Sequence, residues 1–180
     1  MKGIIFNLLE EFITEGWGEE KYEEILKLCP LHTKQPFVGP GTYPDEDLVA
    51  IATSTANKLG ISFHQALKSF GKYCFPKLAK KYPDFLTPYN HPKDFLKTVD
   101  SIIHVEVKKI FRDAYLPKFI YDDPAQNRLI IEYESKRKLC QFMEGLIEGV
   151  SEYFKTKIEY KQTQCTLNGS KTCKFDLTFV

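Results

Sequence analysis

Tyr133, Ser135 and Arg137 stand at i, i+2 and i+4 in the run Tyr133-Glu134-Ser135-Lys136-Arg137, a spacing that sends side chains from one face of an extended segment. One guanidinium and two hydroxyls converging there form a clamp for a planar ligand with two carboxylates, because charge-assisted hydrogen bonds to carboxylate are short and about twice as strong as neutral ones. Taken singly, the three residues would be the solvated end of a strand. Upstream, His104 in Ile103-His104-Val105-Glu106-Val107-Lys108 sits at the edge of an apolar helical face with Val107 and Phe111. A histidine so placed is ordinarily a hydrogen-bonded core residue; the chemical alternative is metal ligation. A third group is Cys140, Cys165 and Cys173, the last two flanking a turn. Three thiols suit zinc, which favours four nitrogen or sulfur ligands, with water or Gln164 to complete the set. Two other readings stay open for them: a reversible disulfide between Cys165 and Cys173, and three half-buried thiols. Cys29 is assigned to core.

The elements that have to position these groups change character along the chain. Ile4, Ile5, Leu8, Leu9 and Phe12 share one helical stripe that ends at Trp17-Gly18, and Tyr22, Ile25, Leu26 and Cys29 mark a second helix stopped by Pro30. A loop with Pro36, Gly39, Pro40 and Gly41 follows. Asp45 or Asp47 is expected to cap a helix over about 46–59, and Ser62 a longer one carrying Leu67, Phe70, Cys74 and Leu78. Pro83, Pro88 and Pro92 interrupt the chain before Leu96, Val99, Ile103, Val107 and Ile110 resume helical spacing, which predicts a helix running on from Lys93. After Pro117 the period shortens. Residues 119–121 and 129–133 read as a hairpin, a helix is expected from about Lys136 to Phe154, and 157–160 and 174–179 alternate as strands across a turn holding Asn168-Gly169. The fold class is therefore α+β: a helical N-terminal part, then a small antiparallel sheet packed with one or two helices.

Composition is consistent with one compact unit. At 180 residues, 43% of them hydrophobic, the chain is long enough to bury about 70% of its unfolded surface. Fourteen Phe and ten Tyr favour a core built around large rings or a pocket for a flat apolar ligand. The net charge of +1, with basic residues in short runs, argues against nucleic acid as a partner. No stretch approaches a membrane span, and the N-terminus lacks a signal peptide's apolar run. Five cysteines without an export signal point to a reducing compartment, hence a cytoplasmic location.

The Y-x-S-x-R pattern of Tyr133, Ser135 and Arg137, together with His104 in its neighbourhood, resembles the heme-binding H-NOX family over essentially the whole chain, from Met1-Lys2-Gly3 to Leu146-Ile147-Glu148-Gly149. The resemblance implies a single domain of residues 1–180, with a helical subdomain over about 1–60, a heme-binding α/β subdomain over about 61–180, and heme b held between them. It makes His104 the axial iron ligand, the clamp the holder of the two propionates, and Pro117 a rigid contact that helps keep the macrocycle out of plane. It also assigns Ile5, Leu9, Cys74, Phe75, Leu78, Phe142 and Leu146 to the distal pocket.

Oxygen-binding members of that family carry a tyrosine where this chain has Phe142, so its pocket lacks that donor to bound oxygen. The resemblance thus implies a nitric oxide sensor, with carbon monoxide as a second ligand, that does no chemistry of its own. Nitric oxide would weaken or break the bond between iron and His104, the heme would relax toward planarity, and the helix carrying His104 would shift against the N-terminal helices. With the chain ending at Val180, the readout is expected in a separate histidine kinase or an enzyme of cyclic dinucleotide turnover. Some relatives look like Cys3His zinc sites at the cysteine cluster; here the fourth place falls on Gln162, which is not a usual zinc ligand. A competing reading from another class comes from residues 145–175, which resemble zinc-containing small-molecule-binding modules related to 4-vinyl reductases. That reading leaves His104 and the clamp without a role. A thiol enzyme using Cys74 or Cys140 is weaker still, since His32, His64 and His91 lie in no nucleophile motif.

Overall fold

A computed structural model describes residues 1–180. The N-terminal part holds α1 (Gly3–Trp17), α2 (Glu19–Lys27) and α3 (Asp45–Leu59), with α4 (Phe63–Lys81) running on from it. Next come α5 (Pro92–Thr98), a π-helical segment Val99–Ile103 and α6 (His104–Ile110). The sheet consists of β1 (Lys118–Ala125), β2 (Arg128–Glu134), β3 (Ile158–Gln164) and β4 (Cys173–Phe179), with α7 (Cys140–Tyr153) between β2 and β3. All pairings are antiparallel, in the order β1-β2-β4-β3. The α+β class expected from the periodicity change after Pro117 is the fold observed.

Three local expectations change. Neither Asp45 nor Asp47 caps α3, because both carboxylates are committed elsewhere. Asp47 is fully buried and accepts the backbone N–H groups of His32 and Thr33 at 2.7 and 3.1 Å, while Asp45 faces Arg137. The expected continuous helix from Lys93 is instead interrupted by the π turn just before His104, a device that widens a helix locally and recurs at functional sites. Finally, α7 starts at Cys140 rather than Lys136, since Lys138 adopts a positive φ of 54° that no helix can carry. The Ser62 cap is present, reciprocated by Gln65 as a capping box.

Two apolar cores result. One gathers Phe6, Leu9, Ile13, Leu48, Leu67 and Phe70 between α1, α3 and α4; the other gathers Phe95, Leu129, Ile131, Ile147, Phe175 and Leu177 between α5, α7 and one face of the sheet. Helix α4 serves both, and its seam with α7 is set by glycine. A Cβ on Gly145 would lie 2.0 Å from the Lys68 carbonyl oxygen, and one on Gly71 would lie 2.2 Å from that of Phe142. Along the seam, His64–Glu144, Lys68–Glu148 and Lys72–Glu152 pair at 2.8–2.9 Å. The pairs advance one turn at a time on both helices, so α4 and α7 run parallel. Gly145→Ala is expected to force the two backbones apart, costing about 1–3 kcal/mol as overpacking does. Urea unfolding checks this: the midpoint falls, and an unchanged midpoint would show that the seam is not close-packed.

Candidate functional site: an apolar cavity between the two cores

A cavity of about 340 Å³ lies where the two cores meet, a size suited to a small-molecule ligand. Of the 34 residues lining it, 29 are hydrophobic; the other five are Lys2, His104, Pro117, Ser135 and Arg137. Four of those five are residues singled out from the sequence. Tyr133, Ile5, Phe75, Leu78, Phe142 and Leu146 also line it. Leu9 and Cys74, expected in the distal pocket, do not. They are 2% and 0% exposed inside the N-terminal core, Leu9 one turn beyond Ile5 and Cys74 next to Phe75, both of which do face the cavity.

His104 is the only histidine in the wall. It opens α6 directly after the π turn, with its side chain 16% exposed and its ring stacked on Phe119 at 5.4 Å. Burial holds its imidazole below the ordinary histidine range, although Asp100 and the Pro117 backbone pull the other way. The neutral form thereby favoured is the form that ligates a metal. Its Nδ1 is buried without a hydrogen-bond partner, the nearest carboxylate oxygen being that of Asp100 at 3.7 Å. Asp100 is itself fixed, its Oδ1 accepting the Phe119 N–H at 3.0 Å.

The clamp is built differently from the extended segment that its spacing suggests. Strand β2 ends at Glu134, so only Tyr133 is on a strand; Ser135 and Arg137 belong to the turn that leads into α7. The three still converge on the cavity, because the Arg137 N–H bonds back to Ser135 Oγ at 3.3 Å and folds the turn inward. Burial pushes the Tyr133 hydroxyl up to about 12, which keeps it a donor at neutral pH. Arg137, with its side chain 11% exposed, donates from Nε to Asp45 Oδ1 and from Nη1 to the Tyr115 carbonyl, both at 2.8 Å, and lies over the Tyr115 ring. Asp45 also faces the Met1 amino nitrogen at 2.6 Å. Burial works against its ionisation, yet these two cations hold its carboxyl below the usual range. A guanidinium has five N–H donors, so Arg137 retains some for a ligand. The pairing of Asp45 and Tyr115 with Arg137 had no signal in the sequence, since it depends on contacts across 92 and 22 residues.

A neutral imidazole with no buried partner, a wide apolar slot and a cation with two hydroxyls at its end together fit a flat macrocycle bearing an iron and two carboxylates. The comparisons with known proteins agree. The family model described as Haem-NO-binding matches residues 2–162. The chain belongs to the Haem-NO-binding family.

Among solved structures of this H-NOX fold, one from S. oneidensis in the Fe(II)NO ligation state is 28% identical, covers 100% of this chain and 99% of its own, and superposes with a TM-score of 0.93. An H-NOX protein from K. algicida, Fe(II) unliganded, is 26% identical with a TM-score of 0.89, covering 100% of this chain and 97% of its own. One from Shewanella woodyi in the Fe(II)CO state, bound to IWP-051, is 30% identical with a TM-score of 0.86, covering 100% and 95%. The soluble guanylate cyclase gcy-35 of Caenorhabditis elegans is 25% identical over 84% of this chain, which spans only 22% of that relative's length. The family match supports the heme-binding reading over the heme-independent module related to 4-vinyl reductases. As an H-NOX domain the chain is a heme-based gas sensor. No helix is long and apolar enough to cross a membrane.

Arg137→Ala removes the one guanidinium of the wall. A charge-assisted hydrogen bond contributes about 1.5–3 kcal/mol, so heme loss should accelerate about tenfold or more. Transfer of heme to apomyoglobin measures the rate, and release at the wild-type rate would show that Arg137 serves only the contact with Asp45.

Proposed function

We propose that this chain is a nitric oxide sensor: it binds nitric oxide at a ferrous heme b ligated by His104 and regulates a separate signalling protein, a histidine kinase or an enzyme of cyclic dinucleotide turnover. The observation that carries the reading is the wall of the cavity, in which a neutral histidine is the one strong ligand and α7 contributes phenylalanine at 142. Ferrous heme supplies an iron that takes one axial ligand from the protein and one diatomic gas. His104 would provide that ligand, Tyr133, Ser135 and Arg137 would hold the carboxylates, and Pro117 would limit the position of the ring. Ile5, Phe75, Leu78, Phe142 and Leu146 surround the gas with apolar surface, with Leu9 and Cys74 packed behind them. Bound oxygen accumulates negative charge and is held by a donor that phenylalanine lacks; nitric oxide and carbon monoxide bind without it.

A bond from His104 to heme iron would tie the 99–110 segment across the cavity, in addition to the contacts of Asp100 with the Phe119 N–H and the Tyr121 hydroxyl. The outer face of that segment exposes Ile102 and Val105, at 46% and 47%, so its displacement reaches the surface directly. The moving bodies are the helical subdomain over about 1–60 and the remainder, linked through Asp45 and Arg137. Such a domain works as a two-state device with no reaction of its own. Five free cysteines fit a reducing, cytoplasmic setting. For Cys140, Cys165 and Cys173 we propose zinc; the support is that their three sulfurs lie within 4.8 Å of one another.

His104→Gly should give a folded protein whose ferrous spectrum lacks the protein ligand and recovers it on addition of imidazole. A spectrum unchanged by the substitution would remove His104 from the mechanism. Phe142→Tyr places a hydroxyl in the wall and should slow oxidation in air by forming a measurable oxygen complex, followed by stopped-flow absorption. A wild-type protein that already forms that complex would contradict the assignment, and Tyr82, which also lines the cavity, would become the donor to test.

A further inference from the structure

The three sulfurs of Cys140, Cys165 and Cys173 come from three elements: the start of α7, the residue after β3 and the start of β4. Cys140 and Cys173 are fully buried, Cys165 is half-buried, and Cys140 Sγ lies 3.6 Å from Cys165 Sγ. No histidine or carboxylate joins the group. The turn between the strands directs its donors at sulfur. Thr166 approaches Cys173 Sγ with its N–H at 3.3 Å and its hydroxyl at 3.4 Å, while the Asn168 N–H closes the turn on the Cys165 carbonyl at 3.0 Å. Donors aimed at sulfur favour thiolate over thiol, the arrangement that supports metal-bound cysteines.

A fourth polar group completes the surroundings. Gln162 on β3 sets its carboxamide beside Cys140, and its Nε2 is buried with no hydrogen-bond partner assigned to it. Zinc takes sulfur, imidazole or carboxylate in protein sites, and a neutral carboxamide is outside that set. A thiolate beside it would give that unpartnered amide N–H an acceptor.

We infer that Gln162 serves this cluster as a hydrogen-bond donor to the Cys140 sulfur and not as a ligand, so that zinc held by the three thiolates keeps its fourth position for an external monodentate donor such as imidazole or water. The inference rests on the zinc reading proposed above. A site closed by four protein ligands is structural, whereas three ligands leave a position that exchanges. Exchange has a route here, because Cys165 is the half-buried member and the adjacent Leu167 is 53% exposed.

The test uses the full-length, heme-loaded protein, reduced and then loaded with zinc, read at the zinc K-edge so that the heme does not interfere. Wild-type protein should show three sulfur scatterers and one light atom, and added imidazole should introduce the outer-shell pattern of an imidazole ring. Gln162→Ala should keep the three sulfurs and the response to imidazole. Gln162→His should show the ring pattern without any additive and give up zinc to a chelator about tenfold more slowly or slower still. Four sulfurs, or a light atom that resists imidazole in the wild type and disappears in Gln162→Ala, would overturn the open position while leaving zinc in place. Failure of the reduced wild-type protein to take up zinc would overturn both, and neither result bears on His104 or the cavity.

Discussion

Keeping one guanidinium at the junction of two apolar cores is the constraint around which this molecule is arranged. Arg137 is nine-tenths buried, and a cation so placed requires compensation from elements distant in sequence. Asp45, at the start of α3, comes from the helical part; the Tyr115 carbonyl comes from the segment that follows α6; Ser135 shapes the turn that aims the side chain. Each of these contacts ties a different body of the protein to the mouth of the cavity. A ligand carrying carboxylates would join the same cation and so be coupled to the helical part, the segment after α6 and the sheet through these contacts.

The rest of the architecture keeps that junction open without letting it collapse. Gly71 and Gly145 draw α4 and α7 together until their backbones touch, so that Phe75 and Leu78 on one helix and Phe142 and Leu146 on the other form a continuous apolar surface. Across the space, the π turn ahead of His104 and the stacking of its ring on Phe119 set the direction of the imidazole. A ligand bond made by His104 would add to the charged ties that already join residues 1–60 to the remainder: Arg137 with Asp45, Lys2 with Asp113, and Lys77 with Glu11 and Glu15. Breaking one bond in such an arrangement shifts a balance between two packings instead of deforming a continuous core.

Much of the site was legible because its chemistry needs rare residue types. A histidine on an apolar helix, a Y-x-S-x-R run and a phenylalanine at 142 stand out against the background of a globular chain, and all of them line the cavity. Leu9 and Cys74 lie in the N-terminal core, outside the lining of the cavity, and for Cys74 the reason is geometric. Cys74 and Phe75 are neighbours on α4, about 100° apart round the helix, and only the packed structure tells which direction is cavity and which is core. The extended geometry imagined for the clamp failed because Lys138 takes a left-handed conformation and the chain turns at Ser135. The partners of Arg137 were invisible for the same reason that Asp45 was taken for a helix cap: a carboxylate at a helix start has a local use, and the distant one prevailed. The cysteine cluster was readable as a set of thiols, but the N–H and hydroxyl that Thr166 turns toward Cys173 belong to a short helical turn that residue types do not announce.

The measurement closest to the central claim is the visible absorption spectrum of the reduced wild-type protein, recorded without air, then in air, then with nitric oxide. A pocket with phenylalanine at 142 opposite a histidine-ligated heme predicts a heme band that shifts with nitric oxide while air leaves no stable oxygen complex. A stable oxygen complex would contradict the role given to Phe142, and a protein that fails to hold heme after reconstitution would contradict the role given to His104 and Arg137 together.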